Sequence, residues 1–241
     1  MNVQNYLDQF AEPPGYLDFA RVGPVSRRVA AGLAESAHRS MTEMPVGVGE
    51  PAARAAAARL LRAAEHEVAF VSSTSHGLFA AAGAVRGTVL VPRGEFPANV
   101  YPWLRLGHDV RWIDAPLVTP DLVAAHLDPS VRALTVSAVD ALTGHRPPLG
   151  ALKELLGPDR VLVVDAIQGL GAVPLEIEAA DVLASGGQKW LRAGWGAALL
   201  LVRDRVAHLL EPGLGGWPGV LDPLAGPPMP RPPARGRSRT P

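Results

Sequence analysis

Residues 161–202 read VLVVDAIQGLGAVPLEIEAADVLASGGQKWLRAGWGAALLLV, and this segment predicts the class of fold. Its short runs at 161–164, 181–184 and 197–202 are rich in aliphatic residues, as is typical of strands that are covered on both faces. Asp165 ends the first run, and Lys189 follows the second in a glycine-rich turn. Buried strands with polar groups at their ends indicate an α/β protein.

The rest of the chain alternates in the same way between strand and helix patterns. Further strands are predicted at 68–71, 88–91, 110–113 and 133–136. Helices are predicted at 51–66, 75–85, 99–106, 120–127, 149–156 and 204–210. This order predicts a three-layer α/β/α sandwich around a mostly parallel, seven-stranded sheet, with the last strand antiparallel.

Polar segments follow several of the predicted strands. They occupy residues 72–75, 95–96, 140–144 and 165–168. Ligands of open α/β sheets bind beyond the carboxyl ends of the strands. We therefore expect these segments to meet in one crevice.

Composition narrows the classes of function. Basic and acidic residues number 23 each, so no overall positive charge favours nucleic acid or an anionic membrane as a partner. There is no cysteine, which excludes disulfides and Cys-based zinc sites within these residues. No apolar run reaches the ~20 residues that span a bilayer, and the N-terminus lacks a signal-peptide pattern. We expect a cytoplasmic protein.

Asp165 and Lys189 together fit a pyridoxal phosphate (PLP) site. A lysine amine forms a Schiff base with the PLP aldehyde, and a carboxylate keeps the pyridine nitrogen protonated. Each residue has an ordinary alternative, because Asp165 also suits a helix cap and a lone lysine is usually a solvated surface residue. The glycines around Lys189 favour close approach of a ligand to the backbone.

Other candidate contacts lie in the loops. Ser73, Thr74 and Ser75 begin a predicted helix, where hydroxyl and free N–H groups hold a phosphate, although serine is also a common N-cap. Phe96 is a candidate for stacking on the cofactor ring, although a lone Phe more often belongs to the core. Gln168 is a candidate for the 3-oxygen of the ring, or an ordinary polar turn residue.

Four motifs resemble those of a known family: VSSTSHGL at 71–78, GEFPANVYPW at 94–103, VVDAIQGLGAVPL at 163–175 and SGGQKW at 185–190. They are similar to motifs of the class V aminotransferase-like PLP enzymes of fold type I. That family includes cysteine desulfurases, selenocysteine lyases, isopenicillin N epimerase-like proteins and kynureninases. The resemblance implies an amino-acid substrate, a Schiff base at Lys189 and a homodimer.

The sequence departs from the family pattern at several positions. Gln188 stands where many members have His before the lysine, and we count it among the cofactor contacts. Gly186 and Ala141 replace a Ser and an Asn of the desulfurases, and Phe96 replaces their stacking His as in kynureninases. Without cysteine, the persulfide chemistry of the desulfurases is unavailable to these residues.

The resemblance also predicts a domain organisation. Residues 1–24 form an N-terminal arm, 25–222 a PLP-binding large domain, and 223–241 a Pro/Arg-rich tail that we expect to be disordered. The family's C-terminal small domain is expected to be absent, through truncation. An inactive PLP-fold fragment or a non-catalytic binding module is therefore an alternative function. A Rossmann-type nucleotide binder is disfavoured because no GxGxxG follows the first strand.

Overall fold

The computed structural model describes residues 2–42, 50–115 and 117–211 of the 241-residue chain. They form one seven-stranded sheet, of strand order β1-β7-β6-β5-β4-β2-β3. The strands are β1 (Val68–Val71), β2 (Thr88–Pro92), β3 (Val110–Ile113), β4 (Val131–Ser137), β5 (Val161–Asp165), β6 (Val182–Gly186) and β7 (Ala198–Val202). Strand β7 is antiparallel to both of its neighbours, and the other pairs are parallel. The predicted sheet and its antiparallel last strand are confirmed.

Seven α-helices are described, together with short 3-10 segments. They are α1 (Val3–Leu7), α2 (Arg27–Arg39), α3 (Glu50–Leu61), α4 (Thr74–Ala84), α5 (Pro97–Arg105), α6 (Pro120–Ala124) and α7 (Leu149–Leu156). The helix predicted over 51–66 ends at Leu61, because Arg62 has a left-handed backbone (φ 48°). The helix predicted over 204–210 is a 3-10 segment, Asp204–Leu209.

Helix α2 was not predicted. Its apolar residues lie on one face, but all of its residues are at least partly exposed, so this face is not buried in the core. The local signal is its N-cap, where Ser26 Oγ accepts a hydrogen bond of 3.2 Å from Val29 N. The helix therefore begins where capping chemistry allows, without a contribution from buried side chains.

The sheet is covered on both faces. Alternate residues of β5 point to opposite sides: Val161 and Val163 pack with α4 and α5, while Leu162 and Val164 pack with α3 and α7. Trp103 of α5 is fully buried on the first face. Burial of each such large side chain stabilises the fold by about 1.5–3 kcal/mol. This is the predicted three-layer sandwich.

The parallel strands bring their carboxyl ends to one edge of the sheet. Asp165 ends β5, Gly186 ends β6 and Ser137 ends β4, so the loops that follow are neighbours. Within the described ranges, no helix combines the length and the apolar character needed to cross a membrane. The predicted tail, residues 223–241, lies outside the described residues.

Candidate active site

Lys189 lies in the turn between β6 and β7. Backbone hydrogen bonds fix this turn: Gly187 N donates to the Ala197 carbonyl (2.7 Å), Ala193 N to the Gly187 carbonyl (2.7 Å), and Arg192 N to the Lys189 carbonyl (3.0 Å). Partial burial lowers the pKa of the Lys189 amine, and the negative charge of Asp165 opposes this shift. The lowered pKa increases the fraction of amine that is neutral and nucleophilic.

The whole sequence contains only two lysines, Lys153 and Lys189. Lys153 Nζ forms a salt bridge of 2.7 Å with the buried Asp181, and it also donates to the carbonyls of Gly157 (3.0 Å) and Arg160 (2.9 Å). Its amine is therefore occupied by structural contacts. Lys189 Nζ instead lies 5.6 Å from the centre of the Phe96 ring.

Asp165 is a buried acid, with 2% of its surface exposed. Among the described residues, its carboxylate accepts one hydrogen bond, from Ile167 N to Oδ1 at 3.0 Å. Burial raises the pKa of Asp165 to about 7; the Ile167 hydrogen bond and the Lys189 charge act in the opposite direction, and the Glu95 charge raises it further. Asp165 and Lys189 are therefore close enough for each to shift the pKa of the other.

The N-terminus of α4 reaches the same edge. Ser73 is the N-cap, and its Oγ accepts from His76 N at 3.1 Å. Thr74 is buried, and its Oγ1 accepts from Gly186 N at 2.7 Å, which joins the helix to the turn of Lys189. Ser75 is partly exposed in the first turn. The first N–H groups of a helix have no carbonyl partner within it, and the helix dipole favours an anion there.

Phe96 lies beside the Lys189 amine, at the start of α5. It is the N-cap of α5, with Pro97 as the first helical residue, and it is half-exposed. Its ring faces the Lys189 amine. The residue before it, Glu95, accepts hydrogen bonds from Ser137 at the end of β4. Phe96 is thus held beside the crevice and is not part of the core.

The two candidate glutamines, Gln168 and Gln188, lie in different places. Gln168 Nε2 donates to the Ala20 carbonyl (3.0 Å), and its Oε1 accepts from Trp190 Nε1 (3.0 Å), so it connects the N-terminal segment to the lysine turn. Gln188 directs its side chain toward Gly186, where a Cβ atom would lie 2.2 Å from Gln188 Oε1. The side chain of Gln188 therefore lies against the end of β6. The contact of Gln168 with the ring 3-oxygen stays a prediction.

The sequence did not predict that the N-terminal segment packs on the lysine turn. Gly23 N donates to the Gln188 carbonyl at 2.8 Å, and a Cβ at Gly23 would lie 2.0 Å from the Lys189 carbonyl oxygen. Arg192 forms a 2.5 Å ion pair with Glu12 and lies over the ring of Phe10 at 3.5 Å. These contacts join residues far apart in sequence, which local patterns cannot reveal.

Comparison with known proteins extends over most of the chain. The family model for aminotransferase class V matches residues 27–219. Kynureninase of Deinococcus radiodurans is 30% identical over 231 residues, which cover 87% of this chain and 56% of the relative. The chain spans about half the length of the curated relatives that it matches, between 46% and 56% for the first three.

Solved structures share the fold. The cysteine desulfurase CsdA of Escherichia coli superimposes with a TM-score of 0.79 at 20% identity, over 98% of this chain and 66% of that chain. A lysine-to-alanine variant of the C-DES protein, with glycine covalently linked to its PLP cofactor, has a TM-score of 0.77 at 16% identity and covers 90% of this chain and 63% of that chain. At these identities the likeness establishes the fold.

Proposed function

The chain belongs to the class V aminotransferase family of PLP-dependent enzymes, and from this we propose that it forms the cofactor-binding part of an enzyme that acts on an amino-acid substrate. One observation carries the proposal. The amine of Lys189, with its lowered pKa, lies against the Phe96 ring and within electrostatic range of the buried Asp165. A nucleophilic amine, an aromatic face and a buried acid in one crevice are what PLP requires.

The groups present fit PLP on physical grounds. A buried carboxylate with one hydrogen bond is costly unless a donor or a cation joins it, and the protonated ring nitrogen of PLP is such a partner. The N-terminus of α4 offers Ser73, Thr74 and Ser75 for the phosphate. The half-exposed Phe96 offers a face for the ring.

When bound, PLP supplies an electron-withdrawing ring that stabilises negative charge at the substrate Cα. The residues of this chain then have separate tasks. Asp165 would hold a proton on the ring nitrogen, and the burial of its carboxylate would keep water away from that proton. Lys189 Nζ would attach the cofactor and, as a free amine, would move the proton at the substrate Cα, for which an amine of lowered pKa is suited.

The reaction type that we propose is that of an aminotransferase or a C–S lyase. The relatives and fold neighbours named above include a kynureninase and a cysteine desulfurase, and the second of these is named for the amino acid cysteine. A sulfur-accepting thiol would have to come from outside these 241 residues, because they contain no cysteine. We further propose residues 25–222 as the cofactor-binding domain, a homodimer as the assembly and the cytoplasm as the location.

The presence of only two lysines makes the proposal simple to test. PLP is added to the purified protein, the visible absorbance of lysine-attached PLP is recorded, and borohydride reduction followed by peptide mass spectrometry locates the attachment. We expect attachment at Lys189 in the wild type and its loss in Lys189→Ala. Lys153→Arg is the matched control, since arginine can keep the salt bridge with Asp181 but forms no such bond with an aldehyde.

Two results would contradict the proposal. One is attachment confined to Lys153 or to the terminal amine. The other is equal absorbance in the wild type and in Lys189→Ala. Amino acids are then screened for turnover with the same pair of variants, and identification of the product defines the reaction.

A further inference from the structure

Glu95 is an acid beside the proposed site to which the function above gives no task. Its Oε1 accepts a hydrogen bond from Ser137 N, and its Oε2 accepts from Ser137 Oγ, both at 2.5 Å. Asn99 Nδ2 donates to Oε2 at 3.0 Å, and Asn99 Oδ1 accepts from Thr135 Oγ1. Asn99 and Thr135 are fully buried, so the carboxylate faces the interior although the residue as a whole is half-buried.

The hydrogen bonds of Glu95 reach the end of β4, which is the strand beside Asp165. Ser137 ends β4 and is the register partner of Asp165 at the end of β5. The next residue, Ala138, donates its N–H to the Asp165 carbonyl at 2.8 Å. The charge of Glu95 raises the pKa of Asp165, which places the two carboxylates within electrostatic range. Glu95 also directly precedes Phe96, so the same contacts anchor the aromatic ring.

The charges around Glu95 are mostly negative. Burial is the chief cause of the raised pKa of Glu95, and the charge of Asp140 raises it further. The charge of Glu95 in turn raises the pKa of Asp165. Lys189 is the cation whose charge reaches Asp165. When both acids are ionised, they leave a net negative charge beside the single charge of Lys189, and a protonated ring would balance it.

We propose that Glu95 is a positioning residue of the cofactor site, which places a second negative charge behind Asp165 and so strengthens the hold on a protonated ring nitrogen. This inference rests on the proposed function, because it requires that PLP binds between Asp165 and Lys189. A cation experiences both carboxylates, whereas an uncharged ring of the same shape gains little from either. The charge of Glu95 should therefore strengthen the binding of a ligand with a protonated ring much more than that of a ligand with an uncharged ring.

Glu95→Gln removes the charge with little change of shape. The new amide oxygen still accepts from Ser137 N, and the new NH₂ group donates to Ser137 Oγ. It would meet the NH₂ group of Asn99, but rotation of the Asn99 amide by half a turn presents an oxygen instead and leaves an NH₂ to donate to Thr135. The network therefore remains satisfied in the variant, and the removal of a buried charge favours folding.

The experiment compares two ligands at pH 8: PLP, and the PLP analogue with a C–H group in place of the ring nitrogen. Dissociation constants are measured by absorbance titration for the wild type, Glu95→Gln and Glu95→Asp, and each variant's melting temperature confirms folding. We expect Glu95→Gln to weaken PLP about tenfold or more, with a much smaller effect on the analogue. Glu95→Asp keeps the charge and should keep the preference for PLP even if both ligands bind more weakly. Glu154→Gln on the exposed side of α7 is the matched control and should change neither constant.

Each other outcome has a definite meaning. Equal weakening of both ligands by Glu95→Gln would limit Glu95 to anchoring Phe96 and would overturn the inference. Unchanged constants would overturn it as well, and so would loss of the preference in Glu95→Asp. If the wild type binds neither ligand, the proposed function fails and this inference fails with it. If the wild type binds both ligands, the proposed function stands and the variants test the role of Glu95 alone.

Discussion

Asp165→Asn should make the cofactor-free protein more stable at neutral pH while it removes the carboxylate that the proposed function needs. Burial raises the pKa of Asp165 from the ordinary 3.8 to about 7. The folded state therefore binds this proton more tightly than the unfolded state, and stability falls as the pH rises from about 4 to about 7. About three pH units at about 1.4 kcal/mol each give a cost of about 4 kcal/mol above pH 7. Asparagine avoids this cost and still accepts from Ile167 N.

The assay is urea unfolding of both cofactor-free proteins at pH 5 and pH 8. Burial of the new NH₂ group costs about 1–3 kcal/mol at either pH, so the informative quantity is the change between the two. The advantage of Asp165→Asn over the wild type should grow by about 2–3 kcal/mol from pH 5 to pH 8. Asp159→Asn, at an exposed position, is the control. An advantage that is equal at both pH values, or that shrinks toward pH 8, would refute the reasoning.

Two further substitutions test the packing around Lys189. Gly23→Ala should destabilise the fold by about 2–4 kcal/mol, because its Cβ would overlap the Lys189 carbonyl oxygen. The control Gly32→Ala in α2 meets no neighbour and should stabilise the fold by about 0.5–1 kcal/mol. Thermal unfolding of the two variants measures the difference, and equal effects would contradict the prediction. Thr74→Val should cost about 1–3 kcal/mol by stranding Gly186 N and should weaken PLP binding, as measured by denaturant unfolding and absorbance titration; a stability unchanged from the wild type would contradict this.

The sheet could be predicted because its strands are buried on both faces, which leaves continuous aliphatic runs such as 161–164 in the sequence. Asp165 and Lys189 could be predicted because Asp165 ends one such run and Lys189 lies in the turn that follows another. Helix α2 escaped prediction although its apolar residues recur at helical spacing and Ser26 is a typical N-cap. The partners of Gln168 escaped as well, because Ala20 is 148 residues away in sequence. The sequence placed the 95–96 segment in the predicted crevice, but the hydrogen bonds of Glu95 to Ser137 became visible only in the structure.

The energetic cost of the site indicates what kind of ligand suits it. Asp165 and Glu95 have raised pKa values, and the charge of Glu95 raises that of Asp165, so the cofactor-free protein is least stable when both are ionised. An anionic group bound beside them would add to that cost, and an uncharged one would leave it unchanged. A protonated ring removes this cost of the two ionised acids. The free energy gained appears as binding affinity and as stabilisation of the folded state. For the proposed ligand, the phosphate would bind at the N-terminus of α4, which presents N–H groups. A ligand that is positive at one end and negative at the other therefore matches this crevice better than a ligand with one kind of charge.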